Sequence, residues 1–247
     1  QDAVQNADAI DSENLIFVAA NFRHLKRYLR LHGVKQVDGI LGDLGISSHQ
    51  IDTPERGFST RFEGDLDMRM NTKDSLTAEE LLNTYSEADL HKILGKYGEV
   101  RNARTLARAI VSQRINEPFS TISAFKTLLT KHAPRHKEFR YFAQVFQAIR
   151  IAINDEMKAL EEVLEQSSEM LKKEGRLVVL TYHSLEDRLV KSFINKGKFE
   201  GEIEKDFFGN DLKPLQSINR KPQTATEEEL AKNNRSRSAK LRIAKKL

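Results

Sequence analysis

Residues 15–44 read LIFVAANFRHLKRYLRLHGVKQVDGILGDL, and this stretch decides the predicted fold. Leu15–Ala20 is an apolar run of the length expected for a buried parallel strand, and a short helix, Ala3–Ala9, is predicted before it. A helical pattern follows and stops at Gly33. The next apolar run, Val37–Leu44, carries an acid near its end. Strand, helix and strand at this spacing predict a βαβ unit in a parallel, doubly wound α/β sheet.

A block of helices without strand patterns follows from residue 72 to residue 137. Thr77 and Glu80 form a capping-box pattern that predicts one helix start, and Ser86 and Asp89 predict the next. Two further apolar stripes at helical spacing complete the block. We therefore expect a helical insertion within the α/β domain.

The second part of the α/β domain is predicted after this block. One long helix carries an apolar stripe that includes Phe142 and Leu164, and it is expected to end at Gly175. Arg176–Tyr182 is typical of a buried strand, Ser184 is expected to cap the next helix, and Ser238–Lys246 alternates as an edge strand would. The predicted organisation is 1–71 for the first part of the α/β domain, 72–137 for the insertion and 138–247 for the second part with its tail.

The composition is that of an ordinary globular protein. The 247 residues are 39% hydrophobic and 31% charged, and no apolar run approaches the roughly 18 residues of a membrane helix. The absence of cysteine excludes disulfides, thiolate metal sites and cysteine nucleophiles. We expect a cytoplasmic protein that neither binds a metal nor enters a membrane.

Positive charge is concentrated in residues 233–247. The chain has 40 Lys and Arg against 36 Asp and Glu, and this segment holds six of the bases and no acid. The six are Arg235, Arg237, Lys240, Arg242, Lys245 and Lys246. Such a tail attracts phosphate groups, although a merely solubilising tail explains the charge equally well.

Several polar residues are expected at the carboxyl ends of strands, where open α/β sheets bind ligands. Asp43 is the first of them, although it could simply cap the next helix together with Ser47. Asp65–Met70 adds two carboxylates and Arg69, or else it is a salt-bridged surface loop. His183 follows the predicted strand Arg176–Tyr182, but a core histidine with satisfied hydrogen bonds is the simpler interpretation.

Six motifs nevertheless occur together, in one order along the chain. They are DLGISS at 43–48, ERGFS at 55–59, LDMRM at 66–70, FQAIRI at 146–151, HSLEDR at 183–188 and RSAKLR at 237–242. This series closely resembles the RsmH family, also called MraW. Its members are small-subunit ribosomal RNA methyltransferases that act on the exocyclic N4 of a decoding-centre cytidine. The DFFG segment at 206–209 and His49 resemble the Bacteroidetes branch.

This resemblance implies a class I, Rossmann-like methyltransferase fold with S-adenosylmethionine over the carboxyl ends of the strands. It implies that Phe22 packs against the adenine, that Asp43 reaches the cofactor and that Gln50 contacts it from the following loop. Asp43 is also the candidate catalytic residue. The inserted helical domain, 72–137, is implied to recognise the substrate.

The same resemblance implies small-subunit (16S) ribosomal RNA, or the assembled small subunit, as the partner. Five arginines are the candidate contacts with RNA phosphates or bases: Arg56, Arg69, Arg188, Arg235 and Arg237. Whether the protein forms a homodimer is left open by the sequence.

The chain departs from the family pattern at three places. The glycine-rich cofactor loop and its strand are missing from these residues, so we expect them to precede Gln1. Gly42 stands where leucine or alanine is common, and Asn234 stands for the usual proline. Two rival functions remain: a non-catalytic RNA-binding ribosome assembly factor, and a Rossmann-type dehydrogenase for which no nicotinamide site is evident.

Overall fold

The computed structural model describes residues 14–247 together with Ala7, Ala9, Ile10 and Ser12. The chain divides into two compact units. The sheet unit comprises the described residues up to Leu44 and residues 158–247, and the helical unit comprises residues 45–157. The predicted borders of the insertion, 72 and 137, fall inside the helical unit.

Five strands and their helices make up the described part of the sheet unit. The strands are β1 (Val37–Asp43), β2 (Leu171–Thr181), β3 (Leu215–Ser217), β4 (Gln223–Thr224) and β5 (Lys240–Lys246). The helices are α1 (Leu25–Leu31), α8 (Glu156–Met170, whose first two residues belong to the helical unit), α9 (Ser184–Lys196) and α10 (Glu227–Lys232). Short 3₁₀ turns cover Phe22–His24 and Asn234–Ser238.

The sheet runs in the order β1-β2-β5-β3, and β4 also pairs with β5. β1 and β2 are parallel, whereas β5 is antiparallel to each of its neighbours. Leu177 and Val179 of β2 are buried on the same face as their β5 partners, Ala244 and Arg242. Helix α9 packs against β2, β3 and β5, and it buries Val190, Phe193 and Ile194. The α/β fold class predicted from the sequence is confirmed, but the predicted parallel sheet is wrong in part, because β5 is antiparallel to its neighbours among the described strands.

The helical unit contains α2 (Ser48–Asp52), α3 (Ala78–Thr84), α4 (Glu87–Gly98), α5 (Ala103–Arg114), α6 (Ile122–His132) and α7 (Glu138–Asn154), and a 3₁₀ turn at Pro54–Arg56. Thr77 and Ser86 cap α3 and α4 by accepting backbone N–H bonds from Glu80 and Asp89, as predicted. The apolar faces meet in one core that includes the edge-to-face pair Phe119 and Phe125.

Four predictions about strands and helix ends are wrong. Leu15–Ala20, although described, forms no strand, and its apolar side chains are largely exposed because the described sheet offers them no neighbouring strand. The single long helix is two helices, since Asp155 takes a left-handed conformation (φ 48°) that ends α7. The second of these helices ends at Met170, so Gly175 lies within β2. The remaining error concerns the tail, Ser238–Lys246.

This tail contributes an interior strand and not an edge strand. Residues 240–245 of β5 pair with β2, and the other side of β5 pairs with β3 and β4. The predicted helix Ala3–Ala9 lies outside the described residues except for Ala7 and Ala9. Within the described part of the chain, no helix is both long and apolar enough to span a membrane.

Candidate active site

Asp43 occupies the last position of β1, with its Cα opposite that of Leu180 in the parallel strand β2. The next backbone N–H, that of Leu44, donates to the Leu180 carbonyl at 3.2 Å, so the strand pair stays intact up to this point. Asp43 itself is exposed. A carboxylate at the carboxyl end of a parallel strand is therefore available to a ligand, as the sequence predicted.

Tyr182 lies beside this carboxylate, one residue beyond the end of β2. Its hydroxyl donates to Oδ1 of Asp43 at 2.8 Å. Burial, reinforced by the Asp43 charge, raises the pKa of Tyr182 to about 12. The phenol is therefore protonated at neutral pH, and it holds one carboxylate oxygen in a fixed position.

No role was predicted for Tyr182. The sequence indicates that this residue ends a strand, and the candidate at this position was the next residue, His183. The available signal was the register of two parallel strands, because the residues that follow neighbouring strand ends share one edge of the sheet. The pairing of β1 with β2 could not be read from two segments more than 120 residues apart.

His183 has a structural role that the backbone explains. It is the N-cap of α9, and its Nδ1 accepts a long bond, 3.4 Å, from the Glu186 backbone N–H. In return the Glu186 carboxylate accepts from the backbone N–H of Tyr182 at 2.8 Å and of His183 at 3.2 Å. The expected cap at Ser184 is thus one residue earlier, at His183. The simpler interpretation, a core histidine with satisfied hydrogen bonds, fits only in part, because Nδ1 takes part in the cap while the buried Nε2 has no hydrogen-bond partner among the described residues. The same capping box fixes the backbone of Tyr182.

Asp187 is the second buried acid of this motif. It accepts from Arg242 Nε at 2.7 Å and from Lys240 Nζ at 3.2 Å, both on β5. Burial alone would raise the pKa of Asp187, but these two cations outweigh it and lower the pKa. Arg242, one of the six cations of the tail, is therefore engaged within the protein. Arg242 is only 8% exposed, because its face of β5 is the one that α9 covers.

Phe22, the predicted adenine contact, lies in the first 3₁₀ turn and is 44% exposed. It lines a mostly apolar cavity of about 310 Å³ whose walls all come from residues 16–34. Neither Asp43 nor Gln50 lines this cavity. An exposed aromatic ring in an apolar recess suits a flat heteroaromatic group.

Gln50, the predicted cofactor amide, belongs to the helical unit and takes part in the cap of α2. Ser47 accepts from the Gln50 backbone N–H at 3.2 Å, and the Gln50 side chain accepts from the Ser47 N–H at 2.9 Å. Of the two alternatives left open for this loop, Ser47 does cap the helix. Asp43 ends β1 and is not part of this cap.

Arg56 and Arg69, two of the predicted RNA contacts, hold the following loop of the helical unit in shape. Arg56 donates to the carbonyls of Arg69 and Met70. Arg69 pairs with Asp67 at 2.8 Å and also donates to the Asp74 carbonyl at 2.6 Å. Burial opposes the ionisation of Asp67, but hydrogen bonds from Arg69 outweigh it and lower the pKa. This is the salt-bridged loop that the sequence left as the alternative.

The other three predicted RNA contacts belong to the sheet unit. Arg188 is exposed on α9, and Arg235 and Arg237 are exposed in the 3₁₀ turn Asn234–Ser238 that precedes β5. Their side chains are thus placed where a large anionic partner can reach them. Their role in RNA binding stays a prediction.

A carboxylate and a tyrosine at the carboxyl ends of two parallel strands, in a mixed α/β sheet, place this protein in the Rossmann-like class of enzyme folds, whose ligands bind at that edge. The MraW methylase family matches residues 1–247, and the chain belongs to this methyltransferase family.

Three relatives support this family assignment, and each of them is named ribosomal RNA small subunit methyltransferase H. The protein from Cytophaga hutchinsonii is 56% identical over 245 residues, which are 99% of this chain and 82% of the relative. The Flavobacterium johnsoniae protein is 51% identical over 247 residues, covering 100% of this chain and 82% of the relative. The protein from Bacteroides thetaiotaomicron is 49% identical over 246 residues, covering 100% and 81%. These sources agree with the predicted Bacteroidetes branch.

Proposed function

We propose that this protein transfers the methyl group of S-adenosylmethionine to the exocyclic N4 of a decoding-centre cytidine in small-subunit ribosomal RNA. The observation that carries the proposal is the hydrogen bond of 2.8 Å from the Tyr182 hydroxyl to the Asp43 carboxylate, at the carboxyl ends of β2 and β1. The family and the names of the relatives support ribosomal RNA as the methyl acceptor.

The acceptor chemistry calls for a fixed hydrogen-bond acceptor. The lone pair of the cytosine amino nitrogen is delocalised into the ring, so N4 is a weak nucleophile. A carboxylate that accepts bonds from the amino protons localises electron density on N4 and aligns it for attack. Tyr182 donates to Oδ1 of Asp43, and we assign the other carboxylate oxygen to the amino group.

The residues present fit the methyl donor in two respects. When bound, S-adenosylmethionine supplies an electrophilic methyl group on a sulfonium cation. The negative charge of Asp43 favours a cation beside it, and its fixed orientation requires little rearrangement during the reaction. The exposed ring of Phe22 in its apolar cavity suits the adenine.

The RNA has to present its base to this edge of the sheet. A stacked or paired cytidine hides its amino group, so the target nucleotide is extruded from the RNA before reaction. Arg188, Arg235 and Arg237 are exposed cations of the sheet unit, and we assign them to the RNA backbone.

A methylation assay tests this function directly. Small-subunit particles and naked ribosomal RNA are each incubated with the protein and S-adenosylmethionine that carries a labelled methyl group. The RNA is then digested to nucleosides, and the label is expected in N4-methylcytidine from at least one of the two substrates. Label in another nucleoside would show that the target is wrong.

Calorimetric titration with S-adenosylmethionine separates the enzyme from the alternative assembly factor. Micromolar binding is expected for the enzyme. RNA binding without cofactor binding or methyl transfer, measured on a protein with its full natural sequence, would favour the non-catalytic assembly factor.

A further inference from the structure

The helical unit contains a second cavity that the methyl-transfer site does not use. Its volume is about 370 Å³, within the range of small-ligand sites. Its lining includes Arg101, His132, Lys137, Arg140, Tyr141 and Gln144. The cavity lies where α4 and α6 end and where α5 and α7 begin.

The cavity is positively charged because of its side chains. Three permanent cations, Arg101, Lys137 and Arg140, face one acid, Glu99. The amino ends of two helices and the carboxyl ends of two others meet here, so the helix dipoles largely offset one another. The excess of arginine and lysine therefore determines the preferred ligand charge, which is negative.

The Tyr141 hydroxyl is a hydrogen-bond donor without an acceptor among the described residues. The residue is only 4% exposed, and its hydroxyl is buried. Burial raises the pKa of Tyr141, so the hydroxyl keeps its proton. The nearby Asn102 side chain lowers this pKa in part, but its geometry does not make a hydrogen bond to the hydroxyl. The Asn102 amide itself donates to the His132 carbonyl at 3.0 Å. A buried donor without a partner is costly, and an acceptor atom on a ligand would remove that cost.

An exposed aromatic ring lies next to these cations in the sequence. Phe139, in the first turn of α7 between Lys137 and Arg140, is 86% exposed. Rings of this kind, interleaved with basic residues, stack on the bases of single-stranded nucleic acid. Inorganic phosphate has no base that could stack on this ring, so Phe139 favours a nucleotide as the ligand.

We propose that this cavity binds a backbone phosphate of RNA. Arg101, Lys137 and Arg140 balance the charge, and the Tyr141 hydroxyl donates to a phosphate oxygen. The Phe139 ring stacks on an adjacent base. The choice of RNA over a free phosphate rests on the proposed ribosomal RNA substrate, whereas the anion site itself does not.

Arg140→Gln tests the charge of the cavity. The probes are inorganic phosphate, followed by protein NMR, and a short single-stranded oligonucleotide with the sequence of the decoding-centre strand. Both should bind the wild type, and both should bind the variant at least about tenfold more weakly, since a hydrogen bond to a charged group is removed. The matched control is Lys92→Gln on α4, which removes an exposed cation that does not line the cavity. Both affinities should be unchanged there.

Tyr141→Phe separates binding from structure. This variant removes only the hydroxyl, so phosphate affinity should fall about tenfold. The melting temperature of the unliganded variant should be equal to or above that of the wild type, because an unsatisfied buried group is removed. A lower melting temperature with unchanged phosphate affinity would mean that the hydroxyl is structural, and it would overturn its role as ligand donor.

Two measurements distinguish an RNA phosphate from a free phosphate as the ligand: the affinities of Phe139→Ala and the salt dependence of RNA binding. For RNA, this variant should weaken oligonucleotide binding but leave inorganic phosphate binding unchanged. Arg140→Gln should also lower the logarithmic salt slope of RNA binding by about 0.7. If cavity variants lose inorganic phosphate while RNA affinity and slope stay unchanged, the ligand is a free phosphate and the RNA assignment is wrong.

A wild type that binds no inorganic phosphate, together with an RNA affinity that Arg140→Gln leaves unchanged, would overturn the proposal as a whole. None of these measurements involves methyl transfer. The binding results therefore test this cavity even if the methylation assay fails.

Discussion

Asp43 and Asp187 are two carboxylates of one sheet unit in opposite situations. Asp43 is exposed, and it accepts a hydrogen bond of 2.8 Å from a neutral tyrosine hydroxyl. Asp187 is buried, and two cations of β5 neutralise it at 2.7 Å and 3.2 Å. The two residues belong to different motifs of the family, so the presence of a carboxylate in such a motif does not by itself define its role.

The contrast between Asp43 and Asp187 indicates how a reactive carboxylate can be recognised. A carboxylate whose charge is already balanced by buried cations has little capacity left for a ligand, and it contributes to folding. A carboxylate held by a neutral donor keeps its charge and gains a fixed direction. We therefore expect changes at Asp43 to alter activity and changes at Asp187 to alter stability.

Asp43→Asn should have the largest effect. Loss of the charge that faces the reacting groups is expected to slow methyl transfer by about a hundredfold to a thousandfold. The free energy of unfolding should change by less than about 0.5 kcal/mol, since the residue is exposed. Single-turnover methyl transfer and denaturant unfolding measure the two quantities. Wild-type turnover in the folded variant would remove Asp43 from the mechanism.

Asp187→Asn should give the reverse result. It leaves the buried Arg242 without its countercharge, and the free energy of unfolding is expected to fall by about 3 kcal/mol. Asp38→Asn is the matched control, because it breaks the exposed pair with Lys172 at 2.7 Å and should cost less than about 1 kcal/mol. Equal losses in the two variants, measured by urea unfolding, would contradict the contrast.

The same pair predicts a dependence of stability on pH. The folded protein lowers the pKa of Asp187 below its ordinary value of 3.8, so the folded state binds this proton less readily than the unfolded state does. The contribution is therefore complete above about pH 4 and is lost as the pH falls through the folded pKa. Thermal unfolding between pH 6 and pH 2 should show a decline that is shallower in Asp187→Asn. Parallel curves would argue against the coupling.

Tyr182→Phe should have an intermediate effect on activity alone. The ring remains while the bond to the Asp43 carboxylate is removed, so the rate constant for methyl transfer is expected to fall about tenfold. In an Asp43→Asn background the same change should have little further effect, because the two residues act through one interaction. Additive losses would mean that Tyr182 acts independently of Asp43.

Neutralising Arg235 and Arg237 together should have the smallest effect. Both are exposed. Each arginine–phosphate contact that the double variant loses should lower the logarithmic salt slope of RNA binding by about 0.7 to 0.9. Affinity for S-adenosylmethionine should not change. A double Gln variant that binds RNA normally but melts much earlier would show instead that this turn supports β5.

The sequence predicted those parts of the fold that local patterns control. The capped helices after Thr77 and Ser86, and the end of β1 at Asp43, follow from capping boxes and apolar runs. The break between α7 and α8 was missed because Asp155 takes a left-handed conformation that residues other than glycine seldom adopt. A continuous apolar stripe does not reveal such a break.

The candidate site was predicted only in part, for a related reason. The position of Asp43 follows from its own strand, but its partner Tyr182 follows from the pairing of strands far apart in the sequence. The tail was predicted as an edge strand for the same reason. Alternation indicates a strand, but only its pairing with β2 on one side and with β3 and β4 on the other shows that β5 lies inside the sheet.

The interior position of β5 also constrains how the protein is made. The ribosome synthesises residues 240–246 after the other four described strands, so the sheet lacks an interior strand until these residues emerge. The core of the helical unit uses only residues emerging earlier, between Phe58 and Ile149, and it can form while synthesis continues. Until β5 arrives, β2 and β3 have exposed edges that can pair wrongly. A pause in translation shortly before residue 240 would therefore prolong the period in which the nascent chain is prone to aggregate.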